Sequence, residues 1–286
     1  MQQIKIIIAL FFCLFTTKNM VFATGWPQPK GGGFLKLDLY MIRSRQFFSD
    51  DGKIYDINGS RTRLGYYTTS FYGEYGLTNR LTAIGYIPFF VRNTVNEGVG
   101  AITGEILQPG LQNNNIGDID LGLKYHFLRR GAFVFSSTLM FGLPTGDATN
   151  PDLLYTGDGE FNQFARLDWG YSRRRWYATG YVGVNNRTKG FSEEFRYYGQ
   201  FGYWLLPSKL IASVTLSGIE SFDNGTPENT GNGLFSNNVE FVSPQLALTY
   251  EHQQKWGLTG QIGLATSGRN VLASPGISVG IYRKFP

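Results

Sequence analysis

Two histidines, His126 and His252, and a small set of charged residues placed two apart are the groups in this 286-residue sequence that could do chemistry. Hydrolysis by a serine nucleophile needs a histidine to take its proton and a third group to orient that histidine. His126 is followed by Phe127-Leu128 and His252 by Gln253-Gln254, so neither sits in a His-x-Ser arrangement. No GxSxG turn, phosphate-cradling glycine loop or His-rich metal spacing is present, and no carboxylate pair stands apart as a glycosidase pair would. The one cysteine, Cys13, lies in an apolar run, so no disulfide or thiolate chemistry is expected of the rest of the chain. No cofactor and no metal are expected.

The charges follow a different logic. Asp118, Asp120, Lys124 and His126 fall on one face of an alternating segment, opposite Leu121, Leu123, Tyr125 and Phe127. Lys36 and Asp38 oppose Leu35, Leu37, Leu39 and Met41 in the same way. Arg166, Asp168 and Arg196 occupy the polar face of later segments, and Glu74, Arg92 and Glu251 are candidates for it. A period of two is the signature of a strand with one apolar and one polar surface. Both signs are interleaved, which suits ion pairing among these residues or a narrow polar conduit better than a strongly ion-selective pore.

About twelve such segments are expected, near 33–42, 62–76, 81–92, 116–127, 132–143, 161–171, 175–185, 194–205, 208–219, 239–251, 255–265 and 275–285. Pro88 and Pro244 fall inside them, where a proline removes a ladder donor. Tight connections at 77–80, 128–131, 172–174, 207–209 and 252–254 alternate with long polar ones at 43–61, 93–115, 144–160, 186–193, 220–238 and 266–274. This alternation predicts an all-β, closed antiparallel transmembrane barrel with short periplasmic turns, long extracellular loops and both ends of the barrel wall on the periplasmic side. Closure follows because every backbone polar group in hydrocarbon must be paired. Tyr66, Tyr72, Phe89, Trp169, Tyr171, Trp176, Tyr203, Tyr250, Trp256 and Tyr282 are candidates for the interfacial aromatics, and loop 93–115 for an inward fold that narrows the lumen.

Ahead of the barrel, Lys5, the run Ile6–Phe15 and Val21-Phe22-Ala23 read as a secretory signal peptide, residues 1–23, leaving 24–286 as a single outer-membrane barrel domain. The formal charge of +5 includes Lys5 and Lys18, and no basic cluster is interleaved with stacking aromatics, so nucleic acid is not an expected partner. The expected partners are outer-membrane lipids, a small polar or aromatic solute, and a secretion or envelope protein met through external loops such as 220–238 with Phe222, Leu234 and Phe235.

Two patches carry a resemblance: Asn115-Ile116-Gly117-Asp118-Ile119-Asp120-Leu121-Gly122-Leu123-Lys124-Tyr125 and Gly142-Leu143-Pro144-Thr145-Gly146-Asp147. They resemble a family of bacterial outer-membrane proteins labelled as components of a phenol-degradation meta pathway or as transporter-like barrels, in which a GDxxLGxKY strand precedes one ending in PTGD. The start Gly25-Trp26-Pro27-Gln28-Pro29-Lys30 is similar to barrel proteins of the Bacteroidetes group. The closing segment Gly276–Pro286 resembles the C-terminal assembly signal of such barrels, with Pro286 added after the expected aromatic. The resemblance implies an outer-membrane barrel that transports. A non-conducting accessory barrel and a lipid-modifying enzyme, as in twelve-stranded phospholipases, are the competing functions.

Overall fold

The structure is a computed structural model that describes residues 25–57, 63–99, 104–226 and 235–286. The expected signal peptide, and Leu234 of the 220–238 loop, lie outside the described residues.

Twelve long strands form the wall. They are β1 (Gly33–Ser44), β2 (Leu64–Gly76), β3 (Leu81–Val95), β4 (Ile119–Arg130), β5 (Phe133–Leu143) and β6 (Asn162–Arg173). The second half comprises β7 (Trp176–Asn186), β8 (Glu194–Leu206), β9 (Leu210–Ser221), β10 (Glu240–His252), β11 (Trp256–Gly263) and β12 (Gly276–Phe285). Each pairs antiparallel with its sequence neighbours, and β12 returns to β1 from Gly33↔Phe285 to Ile42↔Gly276. The sheet is therefore a closed up-and-down barrel with no open edge.

The wall is inverted relative to a water-soluble protein. Leu39, Leu123, Leu139, Leu167, Val214, Leu246 and Val279 are exposed on the outside. Thr82, Lys124, Ser136, Asp168 and Thr179 are buried on the inside. Apolar residues gain from that placement only where the surroundings are hydrocarbon, so the exterior is a lipid face. An aromatic ladder runs along its periplasmic margin, with ring centroids 4.5 Å apart for Phe133–Tyr171, 4.9 Å for Tyr171–Trp176 and 5.8 Å for Trp176–Phe201. Three aromatics expected there face inward instead. Tyr282 is buried beside Glu251, Tyr72 donates to Glu74, and Tyr66 packs with Ile42 and Leu272, because each shares the parity of the polar face.

Both prolines occupy breaks in the ladder. At Pro88 the β2–β3 register slips between Thr69 and Phe71, and β3 changes its other partner from β4 to Leu111–Asn115. Pro88 needs no donor there, and its carbonyl accepts from Gly117 N at 2.8 Å. The slip leaves Phe89 and Phe90 both exposed and reverses parity beyond them. Arg92, expected inside, is consequently exposed and bonded to Gln112, whereas Val91 is buried. The same extension of β3 pairs Val91–Val95 with Leu111–Asn115, so these parts of the 93–115 loop form a hairpin continuing the wall rather than an inward fold. Pro244 lies where β10 passes from β11 to a short external strand, Ser267–Arg269.

Candidate functional site

The lumen is crossed near its periplasmic end by the chain that precedes β1. From the turn at Gly31-Gly32, which exchanges backbone bonds with Gly76, the segment doubles back inside the barrel. Gln28 N bonds Thr82 Oγ1 at 3.0 Å and its side chain donates to Glu74 at 2.8 Å. Lys124 Nζ approaches the Trp26 carbonyl at 3.5 Å, and Ser136 Oγ donates to the Gly25 carbonyl at 2.8 Å. The Trp26 ring lies on Gly170, where a Cβ would come within 2.7 Å of it, and against the buried cluster of Tyr177, Trp204 and Ile211. Pro27 and Pro29 supply a stiff extended backbone with two fewer donors to satisfy. Alternation in the sequence gave no sign of this plug, since it is neither strand nor helix; Trp26 between glycine and proline was the available signal.

Above it, the charged residues expected in one lumenal network separate into distinct groups. Lys124 and Glu74 form a fully buried pair at 3.0 Å, tied through Tyr72 Oη to Glu74 at 2.5 Å. Arg166 Nε is 3.1 Å from Asp168, whose other oxygen accepts from Thr138 at 2.6 Å. Lys36 and Asp38 pair at 2.6 Å on β1, leaning over Gly280. Arg196 bonds Glu194 at 2.7 Å near the external end. His126 sits low in the barrel, its Nδ1 3.4 Å from Ser136 Oγ. This pair has no hydrolytic geometry: the serine hydroxyl is committed to Gly25, and among the described residues no carboxylate is bonded to the imidazole. His252, at the end of β10, packs against Trp256, with the ring centroids 5.3 Å apart and the planes tilted by 34°.

The external mouth is narrowed by the β5–β6 loop. Asp118 accepts from Gly146 N and Asp158 N, both at 2.8 Å. Thr145 Oγ1 donates to Gly117 O at 2.7 Å and Thr156 Oγ1 to Ile116 O at 2.8 Å. The two sequence patches that carry the family resemblance are thus brought into one hydrogen-bonded lock. Thr149 N and its hydroxyl hold the Asp147 carboxyl below its ordinary range. Beside the lock, the Arg187 guanidinium meets Glu194 at 2.7 Å, Asp158 at 3.3 Å and Glu160, and lies 4.4 Å from the Phe191 ring centroid. Burial pushes Glu160 up to about 7 against the opposing pull of Arg187.

Between plug and cap lies a chamber of about 510 Å³. Tyr72, Tyr86, Phe164, Tyr181 and Phe235 supply its aromatic surface, and Asp118, Asp120, Arg166 and Arg196 its charges. The Arg166 guanidinium carbon stands 4.5 Å over the Tyr181 ring. Among the described residues Asp120 has no hydrogen-bond or ion-pair partner, and the buried Asn185 Oδ1 accepts no hydrogen bond. Polar atoms so placed leave bonding capacity for a solute or for water. A larger hollow, about 830 Å³, opens at the periplasmic rim, but its walls include the lipid-facing Leu35, Phe71 and Ile281, so it is not part of the conduit.

No family model matches the chain, and no curated protein sequence does. Among solved structures, an outer membrane channel from Pseudomonas putida F1 is similar over 93% of this chain and 100% of its own, at 14% identity and a TM-score of 0.65. The NanC porin is similar over 87% of this chain and 100% of its own, at 10% identity and a TM-score of 0.50. The fold is that of the Gram-negative outer-membrane barrels.

Proposed function

We propose that this protein is a narrow passive channel for small solutes, and that it admits molecules of about one aromatic ring bearing polar groups. The observation that carries this reading is the chamber. Its volume of about 510 Å³ falls within the range of small-molecule sites. Tyr72, Tyr86 and Phe235 offer ring faces, while Asp120, without a hydrogen-bond or ion-pair partner among the described residues, and the Asn185 Oδ1 atom offer unspent polar capacity. The resemblance of the Asp118 and Pro144–Asp147 patches to barrels labelled with phenol degradation supports the same solute class, as does the likeness to a channel and a porin for conduction.

No catalytic step is assigned to the chain, because among the described residues His126 has no carboxylate partner and Ser136 is engaged by the plug. Passage requires the Gly25–Pro29 segment to yield, since it lies across the periplasmic exit. Single-channel recording in planar bilayers tests the reading. The intact protein should show small, brief openings, blocked by a phenolic solute in the millimolar range. A variant lacking residues 25–29 should conduct several-fold more. A folded barrel that stays silent in both forms sinks the proposal and leaves the accessory role, exercised through the external loops, as the better account.

A further inference from the structure

The periplasmic end of the barrel is cationic all the way round. Each of the five short turns carries an exposed cation: Arg80, Arg130, Arg174, Lys209 and Lys255, in chain order. None of these five side chains is in an ion pair among the described residues. The carboxylates at this end, Glu74 and Glu251, are buried against Lys124 and Lys284. A protein docking on one side would need charge on one side, whereas a closed ring of cations matches a surface that surrounds the barrel. The periplasmic leaflet of the bilayer is such a surface.

One part of the ring is shaped for an individual lipid. The rim hollow of about 830 Å³ has an apolar upper wall of Leu35, Leu37, Phe71 and Ile281, and a lower edge carrying Lys255 and Arg283. Arg283 lies on the outer face, cross-strand from both Leu35 and Trp256, and its guanidinium carbon is 5.7 Å from the Phe285 ring centroid. Acyl chain against the leucines and phosphate against the arginine is the order in which a phospholipid would enter from the leaflet. Arginine and lysine together at headgroup depth select anionic over zwitterionic headgroups. We propose that this hollow is a binding site for an anionic phospholipid of the periplasmic leaflet, held by Arg283 and Lys255, and that the cationic turns extend the preference around the barrel.

Trp256 lines the hollow and reports on it directly. The full protein is reconstituted in phosphatidylcholine vesicles containing dibrominated phosphatidylglycerol or dibrominated phosphatidylcholine. Quenching is read as the difference between wild type and W256F, which removes the contribution of the other tryptophans. Phosphatidylglycerol should associate about fivefold more strongly at low salt, and the preference should shrink in 0.5 M salt. K255Q/R283Q should bring the ratio close to one, while K255R/R283K keeps it. R130Q/R174Q, on other turns, should retain most of it. Equal quenching of the wild type by the two lipids overturns the proposal, and so does an undiminished preference in folded K255Q/R283Q. Either result is independent of conduction, so it leaves the channel reading untouched.

Discussion

The two ends of the lumen are closed by different physics. At the external end the closure is charge: Arg187 among three carboxylates, and Asp118 clasping two backbone amides of the β5–β6 loop. At the periplasmic end it is a short segment, Gly25–Lys30, seated by one large ring and by hydrogen bonds to wall residues. The external loop is continuous with the wall on both sides, so it can loosen only by breaking its own bonds. The plug joins the wall at Gly31-Gly32 and is otherwise held by one ring and a few hydrogen bonds, so few contacts need to break for it to shift. The difference teaches that opening should be controlled from the periplasmic end, with the cap setting what reaches the chamber.

The contrast is most strongly tested by loss of the plug. W26A removes the ring from the Tyr177–Trp204–Ile211 cluster, and G170V drives a side chain into the space it occupies. Either change should raise single-channel conductance several-fold without altering solute block at the chamber; unchanged conductance would mean the floor does not limit flow. Next comes the ion pair against which the plug rests. E74Q leaves Lys124 buried and uncompensated and also weakens the anchor of Gln28, so a loss of about 3 kcal/mol in urea unfolding is expected, with K124M/E74Q recovering most of it. If the single and double variants unfold alike, the pair is not coupled to the wall's stability.

At the external end D118N should release the lock at a cost of about 2 kcal/mol, read as faster proteolysis within residues 144–161, with conductance little changed. The smallest effect expected is a pH dependence of the same loop. Burial holds Glu160 up to about 7, above its ordinary 4.5, so the folded cap binds this proton more tightly than the open one. Its contribution is complete below about 4.5 and is lost as pH rises through about 7. Proteolysis of the loop, referred to E160Q, should therefore increase modestly between pH 5 and pH 8. A decrease over that interval would show that the Arg187 pair outweighs burial.

The wall was legible because its two surfaces repeat with a period of two and because long and short connections alternate. Predicted segments such as 33–42, 81–92, 194–205 and 275–285 meet strands at Gly33–Ser44, Leu81–Val95, Glu194–Leu206 and Gly276–Phe285. Parity failed where it was interrupted: the slip at Pro88 put Arg92 outside, and no residue-level pattern announces such a slip beyond the proline itself. Tyr66, Tyr72 and Tyr282 were misread because an aromatic ring serves equally at a lipid interface and as a buried hydrogen-bond donor. The chamber was only half legible. Asp120 and Arg166 share the inward parity of their strands, but Phe235 arrives from an external loop with no periodicity, and the plug has none either.

The position of the plug in the chain also bears on how the barrel is put together. Its contacts fall on β2 through β9, and it leads directly into β1, whose far edge is the β1–β12 junction. The curved sheet can therefore fold around the segment while that junction is still apart. Insertion of Trp26 before closure would give the growing wall an interior to pack against, making the seam the last joint of assembly.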